Sequence, residues 1–399
     1  MSRLPRQLQP LWPAVKVGHR AGARVLGGIG RRTGGPARGL PVRAGTSAEI
    51  AAAEGAPYHV VHEARIDVRE RPVGAPSSHW YFEEHLRTPV PEVSVVELAG
   101  GRVLGKHAAV VSAGGTLDLD ASHYFGIAGW KEHPVHWAPR PPEPREIDGT
   151  VAVLAARGTG HNYYHFLIDA LPRLGMVGQA LPGLEPDHWV LDHHTRYQRE
   201  LVGLLGIDEQ RIIEPVGGLS LRARRLVVPS LPNASTLVTR ETAAWLRTHL
   251  PASPAAGTLP ERIYVTRGHA PNTRSLVHED AVWAMLEPHG FVRVDPGTLP
   301  VQQQIDHFAA ARVVVAPHGA ALVNLVFSRP GVRVLEMFAP GYLNGGYWSI
   351  VDGIDDSRYR YLVGGGAAVP RGRAMRGLMD DVDVTPAHVE AELERLLAD

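Results

Sequence analysis

The sequence of 399 residues contains no cysteine. This absence excludes disulfide bonds, cysteine-based zinc sites and thiol nucleophiles, and it leaves the cytosol as the default compartment. No apolar run approaches the roughly 20 residues that span a bilayer, and proline and glycine interrupt every short apolar stretch near the N-terminus. We therefore expect neither a signal peptide nor a membrane span.

Net charge is also absent, because 41 Lys and Arg residues balance 41 Asp and Glu residues. This balance argues against nucleic acid as a partner, since a nucleic-acid-binding protein usually has a basic surface. A hydrophobic content of 44% with 21% charged residues is typical of a globular protein with a real core. The length favours two domains, and nothing in the sequence indicates an oligomeric state.

The N-terminal segment lacks acidic residues, because the first one is Glu49. With nine Lys and Arg residues before it and many Gly and Pro residues, residues 1–57 are predicted to be a disordered basic lead. One interpretation is a solvated extension. The other is weak association of residues 1–48 with an anionic membrane surface or a polyanionic glycan, which would make a cytoplasmic protein peripheral to the inner face of the membrane.

The rest of the chain changes pattern at Thr150. Before it, short proline-rich strand patterns predict a small β-rich portion, and after it strands and helices alternate. Alternating apolar strands and helices indicate parallel sheets that are covered on both faces. An uncharged Pro/Ala/Gly/Ser stretch at 251–260 predicts a linker, so we expect an α/β fold with domains at 58–250 and 261–399 and a cleft between them.

An anion site is predicted in the second domain, where "RVVVAPHGAALVNLVF" indicates a strand, a turn and a helix. His318, Gly319 and Ala320 lie where the helix begins, and unpaired N–H groups with the helix dipole favour anions there. Asn324, one turn later, would face the same ligand. Glu336, at the end of the next strand, suits ribose hydroxyls. The alternative is an ordinary strand–helix turn.

Two arginines, Arg267 and Arg274, surround a loop at another strand end. Guanidinium groups suit a diphosphate, although the pair can also be solvated loop residues. Together with the predicted helix start, these arginines would neutralise a departing nucleotide diphosphate without a metal ion.

A polar stripe that faces the cleft is predicted on the helix of "NYYHFLIDALPRL", where Asn162, His165, Asp169 and Arg173 follow a 3, 4, 4 spacing. Pro172 should kink or divide this helix.

Three interpretations of the stripe stay open. His161, His165 and Asp169 form an i, i+4, i+8 ladder that can hold zinc. The polar residues can instead cap the helix and satisfy one another in a polar core. In the third interpretation His165 or Asp169 takes a proton from an acceptor hydroxyl while Asn162 orients groups.

These motifs, in this order, resemble the family 61 glycosyltransferases from roughly Thr150 to Pro340. The resemblance rests on "NYYHFLIDALPRL", "IYVTR", the arginine of "NTRS", Glu279, Gln304, "FAAARVVVAPHGAALVNLVFSRPG" and "VLEMF". It implies a GT-B fold with two Rossmann-like domains, inversion at the anomeric carbon and no required metal. One departure is His278, because the family often has Asn before the residue that matches Glu279.

The resemblance also implies roles for particular residues. The donor nucleotide would be held by Arg267, Arg274, His318, Gly319, Ala320, Asn324 and Glu336. The acceptor side would be lined by Asn162, His165 and Asp169.

The combined expectation is an inverting, metal-independent glycosyltransferase that moves a hexosyl or pentosyl group from a nucleotide diphosphate, expected to be UDP, to a glycan hydroxyl. Its partners would be a nucleotide-sugar co-substrate and a glycan acceptor, with no cofactor. We favour His165 over Asp169 as the general base, in a bacterial-style enzyme of capsule, wall or exported polysaccharide synthesis. The alternatives are a zinc-dependent hydrolase that uses the His161/His165/Asp169 ladder and a non-catalytic nucleotide-sugar-binding module.

Overall fold

A computed structural model describes residues 11–233, 236–268, 274–366, 371, 377 and 380–398. The chain forms two compact units. Unit 1 comprises the described parts of Met1–Arg65 and Pro91–Pro232, and unit 2 those of Ile66–Val90 and Asn233–Asp399.

The described strands are, in chain order, β1 (Arg43–Gly45), β2 (Tyr58–His62), β3 (Arg65–Val68), β4 (Val73–Ala75), β5 (Arg87–Val90), β6 (Val93–Ala99), β7 (Arg102–Leu104), β8 (Ala109–Val111), β9 (Thr116–Asp118), β10 (Arg145–Val153), β11 (His188–Val190), β12 (Ile212–Ile213), β13 (Ser220–Pro229), β14 (Arg262–Val265), β15 (Val292–Val294), β16 (Val313–Pro317), β17 (Arg333–Phe338) and β18 (Arg358–Val363).

The described α-helices are α1 (Trp12–Arg32), α2 (Ser47–Glu54), α3 (Trp80–His85), α4 (Tyr163–His165), α5 (Pro172–Ala180), α6 (Arg196–Leu204), α7 (Arg240–His249), α8 (Glu279–Leu286), α9 (Val301–Ala310), α10 (Gly346–Asp352) and α11 (Pro386–Ala398). A π-helix spans Phe166–Ala170. Short 3₁₀ helices include Trp130–Glu132, Pro134–Trp137, Pro254–Thr258 and Ala320–Phe327.

The sheet of unit 1 contains ten strands in the order β1-β9-β8-β7-β13-β10-β11-β12, with β6 also paired to β13 and β2 to β6. Strands β13, β10, β11 and β12 are parallel, whereas β6 and β7 run antiparallel to β13. The predicted β-rich portion is therefore continuous with the parallel strands, because β13 pairs with both groups.

The sheet of unit 2 has the order β15-β14-β16-β17-β18-β4, and every neighbouring pair is parallel. The first five strands in this row follow the chain order 2-1-3-4-5 of a doubly wound sheet. Its interior side chains are apolar, with α8 and α11 packed over one face through residues such as Val282, Leu286 and Leu393. The direction of winding reverses between β14 and β16, and ligands bind at such switch points.

The unit boundaries differ from the predicted domains. Residues 251–260 lie within unit 2 and do not connect the two units. This segment is attached to α9 of the same unit, because N and Oγ of Ser253 each donate a hydrogen bond to the Asp306 carboxylate at 2.7 Å. The chain passes from unit 1 to unit 2 between Pro232 and Asn233. Strand β4 also joins unit 2 by pairing with β18. The α/β class is confirmed, and two Rossmann-like domains of GT-B type stay a prediction.

The predicted disorder of residues 1–57 differs from the structure over residues 11–57, since α1, β1 and α2 lie there. Residues 1–10 of this prediction lie outside the described residues. Helix α1 packs through Ala23, Gly27 and Gly30, which are buried. Small residues let the helix approach closely, so burial is achieved without large apolar side chains. None of the helices in the described residues is long and apolar enough to span a membrane.

Candidate active site

The carboxyl ends of β14 and β16 are neighbours at the switch point of the unit 2 sheet. Arg267 follows β14, and His318 follows β16. Nη1 of Arg267 donates a hydrogen bond to the carbonyl oxygen of His318. The structure thus brings two of the predicted anion-binding residues together where an open α/β sheet binds its ligands.

Gly319 allows this approach. A Cβ atom at this position would collide with the guanidinium of Arg267. The backbone of Gly319 is extended, with φ −168° and ψ 156°, so the requirement for glycine comes from space and not from backbone conformation. Ala320 is exposed. It begins a helix, as the sequence predicted, and this helix is of the 3₁₀ type. The first N–H groups of this helix have no acceptor within the helix.

Arg274 lies in the same neighbourhood. Its guanidinium stands over the ring of Tyr342, 4.4 Å from the ring centroid. Nη1 of Arg274 is buried and has no hydrogen-bond partner among the residues that the structure describes. Burial lowers the pKa of His318 most, and the positive charges of Arg274 and Arg267 lower it further. The predicted grouping of the two arginines and His318 is therefore present.

Buried hydrogen bonds link His318 to Glu336 of β17, and Glu336 to Tyr359 of β18. Nδ1 of His318 is 2.5 Å from Oε1 of Glu336, and the hydroxyl of Tyr359 donates to Oε2 at 2.6 Å. Burial raises the pKa of Glu336 well above its ordinary value, against the Tyr359 hydrogen bond and the Arg274 charge, and lowers the pKa of His318. These opposite shifts favour a neutral pair that shares one proton. Wherever that proton lies, Nε2 of His318 carries a hydrogen and is a donor.

Two predicted ligand contacts have other partners in the structure. Glu336 was predicted to hold ribose hydroxyls, but it is 0% exposed and both of its oxygens are engaged. Asn324 was predicted to face the ligand, but it is also 0% exposed, and its Nδ2 donates to Oε1 of Gln304 at 3.1 Å and to the carbonyl of Ala321 at 3.0 Å. Both side chains pack beneath the site because they point into unit 2. We therefore interpret them as residues that position His318 and the 3₁₀ helix.

Glu279 also has a supporting position. Its Oε1 accepts hydrogen bonds from the hydroxyls of Tyr264 at 2.9 Å and Thr266 at 2.5 Å. These contacts hold the end of β14 that carries Arg267. The neighbouring His278 is exposed and pairs with Asp383 at 3.3 Å, so this departure from the family pattern lies on the surface.

The predicted polar stripe of unit 1 follows β10 directly. Helix α4 is followed by the π-helix, and Pro172 begins α5. Proline suits the first turn of a helix because the N–H that it lacks would have no acceptor there. Pro172 thus divides the helical segment, as the sequence predicted, and the π-helix carries Asp169.

His165 and Asp169 form a hydrogen-bonded pair, with Nδ1 of the histidine 2.8 Å from Oδ2 of the aspartate. Asp169 is 2% exposed, whereas 12% of the His165 side chain is exposed. A carboxylate on Nδ1 holds the proton there and leaves Nε2 as a proton acceptor. Gly158, at φ +77°, lies against the imidazole, since an added Cβ would be 2.8 Å from Cδ2 of His165. The geometry favours His165 as the base and Asp169 as the residue that orients it.

Phe125 and Arg157 complete this neighbourhood and were not predicted. The ring centroid of Phe125 is 5.0 Å from that of His165. The guanidinium of Arg157 is 4.3 Å from the Phe125 centroid. Burial lowers the pKa of Arg157, and the charge of Asp169 opposes this shift. Arg157 follows β10 and is detectable as a strand-end cation, whereas Phe125 arrives from a remote loop that has no sequence signal.

The remainder of the stripe supports structure. Asn162 caps α4, because its Oδ1 accepts a hydrogen bond from the N–H of Tyr164 at 3.0 Å. Arg173 is 0% exposed and donates to the carbonyls of Ala155 and Ala121 at 2.9 and 3.0 Å. The stripe was predicted to face a cleft as a whole. Its C-terminal half instead turns into unit 1, where backbone carbonyls accept hydrogen bonds from Nη1 and Nη2 of Arg173.

The zinc ladder is not assembled. His161 lies in the loop before α4, and its Nδ1 is 3.4 Å from Nε2 of His194. Within the described ranges no group of three or more His, Asp or Glu side chains is placed to hold a metal ion. The arrangement does not favour the zinc-dependent hydrolase.

Two half-buried arginines beside a buried histidine lie at the switch point of a parallel sheet. α/β proteins bind nucleotides at such switch points. The family model described as Glycosyltransferase 61 matches residues 163–335. Over these residues the match confirms the resemblance to the family 61 glycosyltransferases that was seen in the sequence. The matched segment begins at α4 and includes His165, Asp169, Arg267, Arg274 and His318. None of the curated proteins matches the chain.

Proposed function

We propose that the protein is a glycosyltransferase of family 61 that inverts the anomeric carbon and needs no metal ion. It moves a sugar from a nucleotide diphosphate, which we take to be UDP, to a hydroxyl of a glycan. The observation that carries the proposal is the meeting of Arg267, Arg274 and His318 at the switch point of the unit 2 sheet. The family match supports glycosyl transfer as the reaction class.

The donor side stabilises a leaving group. As the bond between the anomeric carbon and the diphosphate breaks, its electron pair leaves with the diphosphate and the negative charge grows. Arg267 and Arg274 supply fixed positive charge, and Nε2–H of His318 supplies a hydrogen bond. These groups are held in place before the reaction by Gly319, Tyr342 and Glu336. The charge is therefore balanced without a divalent cation.

The acceptor side supplies a base. Nε2 of His165 takes the proton of the acceptor hydroxyl while that oxygen attacks the anomeric carbon on the side opposite the diphosphate. Asp169 stabilises the imidazolium that forms. A single displacement of this kind inverts the anomeric configuration. We propose synthesis of capsule, wall or exported polysaccharide from cytoplasmic nucleotide sugars as the process that the enzyme serves.

Two substitutions separate binding from turnover. Arg274→Ala should weaken UDP affinity about tenfold or more by calorimetry, because a charge-assisted hydrogen bond is lost. His165→Ala should keep UDP affinity and lower release of UDP from the donor sugar by about 100-fold or more. Arg358→Ala, at an exposed arginine on β18, is the control for the first substitution.

Three outcomes would contradict the proposal. Unchanged turnover in His165→Ala would remove this residue from the mechanism. Activity that EDTA abolishes and a divalent cation restores would contradict metal independence. UDP binding without UDP release from any UDP-sugar, across a broad acceptor panel, would indicate a non-catalytic binding module.

A further inference from the structure

Helix α1 has a packed side that is made of small residues. Ala23, Gly27 and Gly30 are buried against unit 1. A Cβ atom at Gly27 would be 2.7 Å from Cγ of His136, so the helix rests directly on the 3₁₀ helix Pro134–Trp137. This contact fixes which side of α1 faces away from the protein.

The opposite side of α1 is apolar and exposed. Val17, Val25 and Ile29 are 56%, 63% and 48% exposed, and Leu11, just before the helix, is 55% exposed. At about 100° per residue, Val25 and Ile29 lie roughly opposite Ala23 and Gly27. We call the four exposed residues Leu11, Val17, Val25 and Ile29 the outer face. Apolar side chains that are grouped on one exposed helix face mark a surface that binds something.

The charges that α1 itself carries are all positive. There is no Asp or Glu between Met1 and Ala48. Arg24 and Arg31 lie on the border between the packed side and the outer face. Arg24 pairs with Glu132 yet remains 59% exposed. Lys16 and Arg32 are exposed near the two ends of the helix. The partner that matches this pattern is apolar in its interior and negatively charged at its surface.

We propose that α1 lies flat in the surface of an anionic membrane, with the outer face among the upper acyl chains and the cations at the lipid phosphates. Helices of this kind are apolar on one face, cationic at the border and not hydrophobic enough to span the bilayer. A helix of 21 residues is about 30 Å long, so several lipid headgroups are within its reach. A nucleic acid would require cations and not an apolar strip in the centre of the contact.

Vesicle co-sedimentation of the full chain tests this proposal. The wild type should bind phosphatidylcholine vesicles that contain phosphatidylglycerol at least about tenfold more tightly than vesicles of phosphatidylcholine alone. The double substitution Val25→Asp with Ile29→Asp should lower the affinity for the anionic vesicles by about tenfold or more. A matched control places Asp at Leu204 and Val216 of unit 1, which are 43% and 55% exposed, and should bind as the wild type does.

A second variant tests the charges without touching the apolar residues. Lys16→Gln with Arg32→Gln should also weaken binding to anionic vesicles by about tenfold or more, and added salt should have the same effect. Equal binding of the wild type to both kinds of vesicle, or wild-type affinity in the Val25→Asp with Ile29→Asp variant, would overturn the proposal. Light scattering is the second measurement. The proposal would also be overturned if the wild type formed a dimer and bound no vesicles, and if Val25→Asp with Ile29→Asp abolished the dimer. The outer face would then bind a second copy of this chain.

Discussion

The guanidinium of Arg267 lies where a side chain at Gly319 would be, and it donates a hydrogen bond to the carbonyl oxygen of His318. The end of β14 and the end of β16 are thereby joined by one cation. This contact sets the position of Arg267 relative to the ring of His318, and both are the groups that we propose bind the diphosphate.

Gly319→Ala should displace Arg267 and weaken the affinity for UDP by about tenfold or more, because the new methyl group occupies the place of the guanidinium. The extended backbone at this position suits alanine, so thermal stability should change little. Isothermal calorimetry measures the affinity. Gly257→Ala is the control, since nothing lies within 4 Å of a Cβ added there. Wild-type affinity in Gly319→Ala would separate Arg267 from nucleotide binding.

Asp169→Asn should lower kcat by about 100-fold with little change in KM. The amide has nearly the same shape as the carboxylate, but it neither holds the proton on Nδ1 of His165 nor stabilises an imidazolium. Steady-state kinetics across pH are the measurement, and the pH–rate profile should change with kcat. Asp148→Asn, at an exposed ion pair with Arg224, serves as the control. A kcat within twofold of the wild type would leave Asp169 with a structural role only.

Glu336→Gln should keep UDP affinity and make it independent of pH on the alkaline side. In the wild type the raised pKa of Glu336 keeps a proton on the pair with His318, and loss of that proton at high pH removes the Nε2–H donor or its support. A glutamine amide donates to Nδ1 at every pH and so keeps Nε2 protonated. Calorimetry of UDP from neutral to alkaline pH measures this difference. An alkaline decline in Glu336→Gln equal to that of the wild type would refute the assigned proton.

Tyr359→Phe is the complementary change to the same pair. The Tyr359 hydroxyl lowers the pKa of Glu336 by donating to its carboxylate. Without this donor the pKa of Glu336 rises further, so the alkaline decline in UDP affinity should move to higher pH. A purely structural role would instead weaken the affinity equally at all pH values.

His136→Leu should make unit 1 less sensitive to acid. Burial lowers the pKa of His136 to about 4 from its ordinary value of 6.5, and the charge of Arg31 adds to this. Because folding lowers the pKa of this imidazole, the free energy of unfolding has its full value above pH 6.5, where the imidazole is neutral in both states. It decreases as the pH falls from there to about 4, because the unfolded chain then binds a proton that the folded protein does not. At pH 5 the protonation of this residue in the unfolded chain should have lowered the free energy of unfolding of the wild type by about 2 kcal/mol.

Urea unfolding at pH 7 and pH 5 measures the effect. His136→Leu should lose less stability between these pH values than the wild type, whereas His388→Leu, at an exposed histidine of α11, should match the wild type. Identical pH dependence in His136→Leu and the wild type would show that this imidazole is not buried in its neutral form.

The sequence predicted the regular parts of unit 2 and the residues at their ends. Arg267 and His318 follow apolar strand patterns, and the carboxyl ends of parallel strands meet at one edge, so their proximity could be inferred from local pattern alone. Phe125 could not be found in this way, because it reaches His165 from 40 positions away along the chain. Strand β4 was missed for the same reason, since its partner β18 is nearly 300 residues later.

The side-chain partners were also beyond the sequence. It showed that Glu336 ends a strand, but not that Tyr359 and His318 already occupy both of its oxygens. It showed a basic, glycine-rich N-terminal segment, but not that Gly27 and Gly30 let a helix pack there.

The sequence by itself determined the α/β class, the resemblance to the family 61 glycosyltransferases and the cationic and histidine groups that we propose carry the chemistry, because these follow from local periodicity and residue type. Only the tertiary structure decided which of these groups reach a ligand and which support them. Burial and hydrogen-bond partners depend on residues that are distant in the chain, and it is those partners that place Asp169 and Glu336 behind His165 and His318.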